Sequence, residues 1–298
     1  MKRFFYPNYN NLNHGHDHLL MALENDSVTI YNALMSKTPI FIGRIAGVEL
    51  QTAHDLLQGT VKTLAQHIKA LENNAGIYVK YDGSLHSYAT KLIESYNKCT
   101  HIAEWNGKVY EITGLSQEWI RRRTPRIPKI TALALEPYYA ENSWMPALFQ
   151  KRILIIHPFV ETFEKQVPKL NEIFPGRSWF EECSFVFLKP PVTLAGNHGN
   201  KDWEEQMDEF LPKLDPLEFD VALIAAGGYG MMISEYLYTK RNKSVMYIGG
   251  ALQLFFGVIG RRWFDNSDIM KLVNDSWIRP AASERPPNHK KVEKGCYW

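Results

Sequence analysis

Four short apolar runs in the second half of the chain limit what this sequence can fold into more than any other feature does. They lie in "KRILIIHPF" (151–159), "FVFLKPP" (185–191), "FDVALIAAGGYG" (219–230) and "SVMYIGG" (244–250). Between them come the helical patterns "ETFEKQVPKLNEIF", "DWEEQMDEFLPKL" and "MMISEYLYTKRN". Short apolar strands that alternate with helices predict a parallel sheet covered on both faces, an α/β fold of Rossmann-like, doubly wound type. Ligands in such folds bind at the carboxyl ends of the strands, where the loops and the helix N-termini behind them converge.

The first half carries the same rhythm less clearly. Residues 15–37 read as a helix from the spacing of Leu19, Leu20, Leu23, Ile30, Leu34 and Met35. "IFIG" (40–43) reads as a strand, "GVELQTAHDLL" and 60–72 as helices, "GIYV" (76–79) as a further strand, and 84–98 as a helix. "HIAEWNGKVYEITGL" (101–115) reads as β-rich or loop. A boundary near "ENSWMPALFQ" divides the chain into an N-terminal α/β half, 1–145, and a C-terminal nucleotide-binding half, 146–298, with a tail rich in proline and charge. Trp277, Tyr297 and Trp298 favour a tail that packs.

The 298 residues suffice for one large core or two modest ones. Three widely spaced cysteines, Cys99, Cys183 and Cys296, argue against a disulfide framework and a zinc site, and fit a reducing compartment. The first residues lack an apolar signal region, and no run approaches the roughly 18 apolar residues of a membrane span. The expectation is a cytoplasmic protein. A net charge of +2 gives no bulk electrostatic case for nucleic acid.

Four loops fall at expected strand ends. In "GRIAGVE", Arg44 and Glu49 flank a turn at Gly47; Glu49 is a helix-terminus charge, a metal ligand or a general base, with Arg44 orienting it or binding an anion. In "HPFVET", His157 stands where a strand stops and is a base, a donor or a core residue. "AAGGYG" offers Gly227, Gly228, Tyr229 and Gly230, either a phosphate cradle or a tight turn; it is neither G-x-G-x-x-G nor a P-loop. "GGALQLFFGVIGRRW" offers Gly249, Gly250, the lone polar Gln253, Arg262 with its phosphate-matching fork, and Trp263. His198, in "LAGNHGN", reads as exposed.

The segments "IGRIAGVEL", "FDVALIAAGGYGMMISEYL", "YIGGALQLFFGVIGRRW" and "SWIRPAASERP…VEKGCYW" resemble a family of uncharacterised, predicted sugar-transfer proteins of bacterial polysaccharide loci and large DNA viruses. The likeness runs from about residue 38 to the end, and it extends more distantly to glycosyltransferases of the GT-D fold. It implies a GT-D-like enzyme that takes a nucleotide-diphosphate sugar, a UDP-sugar being favoured, and passes the sugar to a glycan hydroxyl in the cytoplasm, that of the host if the chain is viral. GT-D enzymes carry Asp-x-Glu after the first strand to hold a divalent metal. Here Glu49 matches the glutamate and Gly47 replaces the aspartate, so Mn or Mg would have Glu49 alone. Glu284 and Glu293 of the tail become further carboxylate candidates.

Two other readings stay open at the level of sequence. One is a different Rossmann enzyme, a methyltransferase or a sugar-nucleotide dehydrogenase, for which Asp82 would hold a ribose. The other is a non-catalytic nucleotide-sugar-binding partner in polysaccharide assembly.

Overall fold

A computed structural model describes residues 16–298, apart from the side chains of residues 16–19, 61–63, 82 and 108. The helix α1 (His16–Met35) leads to strand β1 (Phe41–Arg44), and α2 (Gly47–Leu57), α3 (Val61–Ala70) and α4 (Asp82–Lys98) follow. Next come β2 (His101–Glu104), α5 (Gly107–Arg123) and β3 (Lys129–Thr131). The second half runs β4 (Arg152–Ile156), α6 (Val160–Gln166), α7 (Leu170–Ile173), β5 (Ser184–Leu188), α8 (Trp203–Phe210), β6 (Val221–Ile224), α9 (Gly230–Thr239), β7 (Ser244–Tyr247) and α10 (Ser267–Met270).

All seven strands form one parallel sheet in the order β3-β2-β1-β7-β6-β4-β5. The fold is α/β and Rossmann-like. β1 pairs with β7, Phe41 opposite Val245, so strands from both halves of the chain are joined in one sheet. Ile153–Ile156 and Val221–Ile224 are wholly buried, as expected for central parallel strands with helices on both faces. Close packing also explains Gly43 in β1. A Cβ there would stand 2.5 Å from the Cys99 Sγ and 2.8 Å from the Met231 Cε. Burial pushes the Cys99 thiol far above its ordinary range, which marks it as a packing group.

Two expectations need correction. "GIYV" is not a strand. A π-helical turn, Leu71–Ala75, ends at Gly76 with φ +76°, and the chain then runs beside α8. There the Tyr78 carbonyl accepts from the Trp203 amide at 3.0 Å, and the Lys80 amide donates to Asp202 Oδ2 at 2.9 Å. These backbone groups are satisfied outside the sheet. Residues 101–115 are not a β-rich loop either: four residues form β2, and a helix of 17 residues begins at Gly107. Val109, Ile112, Thr113 and two glycines lower its helix propensity. Tertiary contacts override that, since the Gln117 carboxamide pairs with both the amide and the carbonyl of Trp105 at 3.0 Å.

The tail packs against the second half. Val258 and Ile278 form a parallel bridge, and Trp277, Val292 and Trp298 are buried. Glu284 is its main fastener. Its Oε1 accepts the amides of Glu161 (2.8 Å) and Thr162 (3.3 Å) at the start of α6, and its Oε2 takes the Thr162 hydroxyl. Among the described residues, no helix is long and apolar enough to cross a membrane.

Glu284→Ala would strand those donors in a buried site and is expected to lower unfolding stability by about 2–3 kcal/mol. Urea denaturation followed by tryptophan fluorescence measures it, and a loss below about 0.5 kcal/mol would mean the tail is fastened elsewhere.

Candidate functional site

The site begins at the turn after β1. The Tyr96 hydroxyl donates to the Arg44 carbonyl and accepts from the Ala46 amide, both at 3.0 Å. The Ile45 amide donates to the Ala103 carbonyl at 2.9 Å, and the Trp105 indole donates to the Ile45 carbonyl at 2.9 Å. This holds the backbone of residues 44–46 rigid. The helix α2 starts at Gly47, and no side chain caps it. The Glu49 amide turns to its own carboxylate, and the amides of Gly47 and Val48, which have no intrahelical partner, are left to meet an anion. A Cβ at Gly47 would lie 3.0 Å from the Thr113 methyl, so the glycine also lets α2 and α5 close up.

Arg44 carries its guanidinium between two aromatic rings, Cζ lying 5.2 Å from the centre of Trp105 and 5.7 Å from that of Tyr247. It presses on the Gly249 backbone so closely that a Cβ there would stand 1.8 Å from Nη2, and Gly249 has φ +71°. Among the described residues no carboxylate pairs with Arg44, and its buried Nε has no hydrogen-bond partner. A cation fixed by packing, with its fork unused, suits an oxyanion.

Glu49, in the first turn of α2, is only 8% exposed. Burial raises its pKa, with a smaller contribution from the charge of Glu293; its own amide and Arg44 oppose the rise. The neighbouring phenols are committed elsewhere. Tyr96 serves the turn, Tyr88 donates to the Gly228 carbonyl (3.0 Å), and Tyr247 donates to the Gly227 carbonyl (2.9 Å). Among the described residues no side chain hydrogen-bonds to the Glu49 carboxylate.

His157 follows β4. Its Nδ1 accepts the Phe159 amide at 2.9 Å, and burial drives its pKa down to about 3. The ring is therefore neutral near pH 7, with its proton on Nε2, and that N–H is left for the cavity.

These groups meet in one cavity of about 180 Å³. Its wall takes residues from beyond the ends of β1, β2, β4, β6 and β7, five strands contiguous in the sheet. Of the residues proposed from sequence it brings together Arg44, Gly47, Glu49, His157, Gly227, Gly249, Gly250, Gln253, Arg262 and Glu293. Gln253 is fully buried; its Nε2 donates to the carbonyls of Val258 (2.9 Å) and Tyr297 (3.3 Å), and its Oε1 has no partner. Arg262 donates to the Tyr297 hydroxyl (3.0 Å) and to Glu293 (3.1 Å), which ties the tail to the wall.

Five candidates lie off the wall, Gly230 among them, where a Cβ would stand 2.2 Å from the Tyr247 ring. Gly228 sits beneath Ile77, where a Cβ would lie 2.3 Å from the side chain. Tyr229 donates to the Gly76 carbonyl at 3.1 Å, Trp263 is fully buried with its ring centre 6.4 Å from that of Tyr297, and Glu284 fastens the tail. His198 is stacked on Tyr78, centroids 3.7 Å apart, away from the wall. The Asp82 side chain lies outside the described residues.

Sequence reasoning missed Asn74, Trp105, Tyr247 and Tyr297 as wall residues. Tyr247 carried a usable signal, its place at the end of an evident strand. Trp105 would have followed had β2 been recognised.

Among the described residues no three His, Cys, Asp or Glu side chains come together as metal donors. Glu49 brings one carboxylate under the field of Arg44, and Glu293 is engaged by Arg262. That set does not fit Mg²⁺ or Mn²⁺ held by protein oxygens, and no step below passes through a metal. Comparison with protein-family models, curated proteins and solved structures returned no match.

The His157 environment has a signature in stability. Its folded pKa is depressed, so the stability it confers is full above the ordinary value of 6.5 and is lost as pH falls toward about 3. His157→Gln is expected to flatten that stretch of a stability–pH profile measured by chemical denaturation. Parallel profiles for variant and wild type would refute the buried neutral ring.

Proposed function

We propose that the protein is a glycosyltransferase that moves a sugar from a nucleoside-diphosphate sugar, a UDP-sugar being favoured, to a hydroxyl of a glycan acceptor in the cytoplasm. One observation carries the reading. An arginine with no ion-pair partner among the described residues, beside a helix N-terminus with no side-chain cap at Ala46, shares a cavity with a buried carboxylate that no other described side chain engages. Such a cavity offers an anion clamp and a base within one water-poor space.

The acceptor hydroxyl gives its proton to the Glu49 carboxylate while its oxygen attacks the anomeric carbon. The bond from that carbon to the diphosphate oxygen breaks, and the leaving group departs with the electron pair. Arg44, the first amides of α2 and the His157 Nε2–H meet the charge that develops there. His157 does this as a neutral donor, which fits a role in binding rather than in proton removal. The raised pKa of Glu49 makes it a stronger base than an exposed carboxylate, at the expense of requiring a higher pH for its ionised form. Tyr297 and Trp298 supply aromatic surface for a sugar ring.

Release of UDP from UDP-sugars, with glycan acceptors supplied, tests the reading, and Glu49→Gln is expected to slow it by about 10²–10⁴-fold. Equal turnover by wild type and variant would remove Glu49 as base. Stabilisation in a thermal-shift panel by S-adenosylmethionine alone, and by no UDP-sugar, would overturn the function. The same variant carries a stability signature. Because the folded pKa of Glu49 is raised, the native preference for the protonated acid is complete at acid pH and lost as pH rises through that pKa. Glu49→Gln cannot ionise and is expected to melt above wild type at pH 8, by about 2 °C for each kcal/mol of desolvation removed.

A further inference from the structure

Asn74 is the polar wall residue with the least to do inside the protein. It sits in the π-helical turn Leu71–Ala75. The carboxamide of its neighbour Asn73 donates to the Lys69 carbonyl at 2.9 Å, whereas among the described residues that of Asn74 has no hydrogen-bond partner. A π turn adds a residue to a helical turn, which redirects the side chains after it, and such turns gather at functional sites.

Much of the surrounding structure is spent on seating this turn. The Gly76 carbonyl accepts from the Tyr229 hydroxyl at 3.1 Å and from the Thr193 hydroxyl at 2.5 Å. The Ile77 amide closes back on the Leu71 carbonyl at 3.2 Å. Gly227 packs so tightly that a Cβ would lie 2.7 Å from the Ala75 carbonyl oxygen, and Gly228 lies beneath Ile77. The "GGYG" motif therefore acts as the bed of the π turn. It fixes the element that carries Asn74 to the wall.

We propose that Asn74 is a specificity-determining residue that reads hydroxyl groups of the transferred sugar. A carboxamide offers a donor and an acceptor without charge, which matches a neutral polyol and is a poor partner for a diphosphate. Of the charged wall residues, Arg262 and Glu293 pair with each other, Arg44 and Glu49 answer the diphosphate and the acceptor proton, and the neutral part of the donor is left to a group of this kind. The inference rests on the glycosyltransferase reading and adds to it the residue that selects the sugar.

Calorimetric titration of wild type, Asn74→Ala and Asn74→Leu with UDP and with UDP-glucose, UDP-galactose, UDP-N-acetylglucosamine and UDP-xylose tests it. Asn74→Leu keeps the side-chain size without adding a charge to the diphosphate cavity and checks that any loss is not a collapse of the turn. Both variants are expected to bind the best wild-type UDP-sugar about 3- to 10-fold more weakly, to bind UDP as wild type does, and to alter the rank order of sugars. Equal weakening toward UDP and UDP-sugar, or no weakening toward either, overturns the proposal. Wild type binding no UDP-sugar more tightly than UDP would overturn it while leaving the diphosphate site intact. Binding of neither UDP nor any UDP-sugar would sink the glycosyltransferase reading and this inference with it.

Discussion

Arg44 is held by packing and not by a counter-charge, and most of the site follows from that. Its guanidinium lies between Trp105 and Tyr247 and against the backbone of Gly249. A carboxylate partner would have fixed it more simply and consumed the charge. Aromatic faces hold a cation while leaving its in-plane donors available. That arrangement explains why Gly249 has no side chain and why large rings stand just after β2 and at the end of β7. It also explains why the turn at 44–46 is pinned by Tyr96 and Trp105: a cation with no ion pair to centre it needs a rigid backbone.

The second constraint is the tail. Glu284 anchors it to α6, and Arg262 grips Glu293 and Tyr297, which brings Tyr297 and Trp298 to the cavity. Backbone strain accompanies this path. Glu293, Lys294 and Gly295 are consecutive left-handed residues, with φ of 43°, 63° and 77°. Non-glycine residues in that region cost on the order of 1–3 kcal/mol each and persist where surrounding contacts over-determine them. The Arg262 pair and the buried Trp298 are such contacts. Close approach of the chain also fixes Gly260, where a Cβ would lie 2.6 Å from the Tyr297 carbonyl oxygen.

The legible parts of the sequence were those where a local pattern and the tertiary environment agree. β4, β6 and β7 stand out because central parallel strands are apolar on both faces, and α2, α4 and α9 because they follow or precede clear breaks. β2 and α5 were obscured together: "HIAE" is short and half polar, and the helix after it is rich in β-branched residues and glycine. The π turn had no signature at all, since Leu71–Ala75 reads as the end of a helix and "GIYV" has the composition of a strand. The glycines of "GGYG" suggested a phosphate cradle or a tight turn, and the Ala75 backbone, Ile77 and Tyr247 occupy the space that the missing side chains of Gly227, Gly228 and Gly230 leave.

By itself the sequence determined the α/β class and the loops at which ligand chemistry would gather, because strand and helix periods and glycine breaks are local properties of the chain. Only the tertiary structure decided which side chains of those loops are free. Arg44 and Arg262 are both arginines that closely follow a glycine, Gly43 and Gly260, and only their neighbours leave one without an ion pair among the described residues and make the other a clasp for the tail. Glu49 and Glu284 are both buried carboxylates near helix starts; among the described residues one is without a side-chain partner, and the other is filled by the first amides of α6. Partnership of this kind depends on residues up to about two hundred positions apart in the chain, as Arg44 and Tyr247 are, and no local pattern records it.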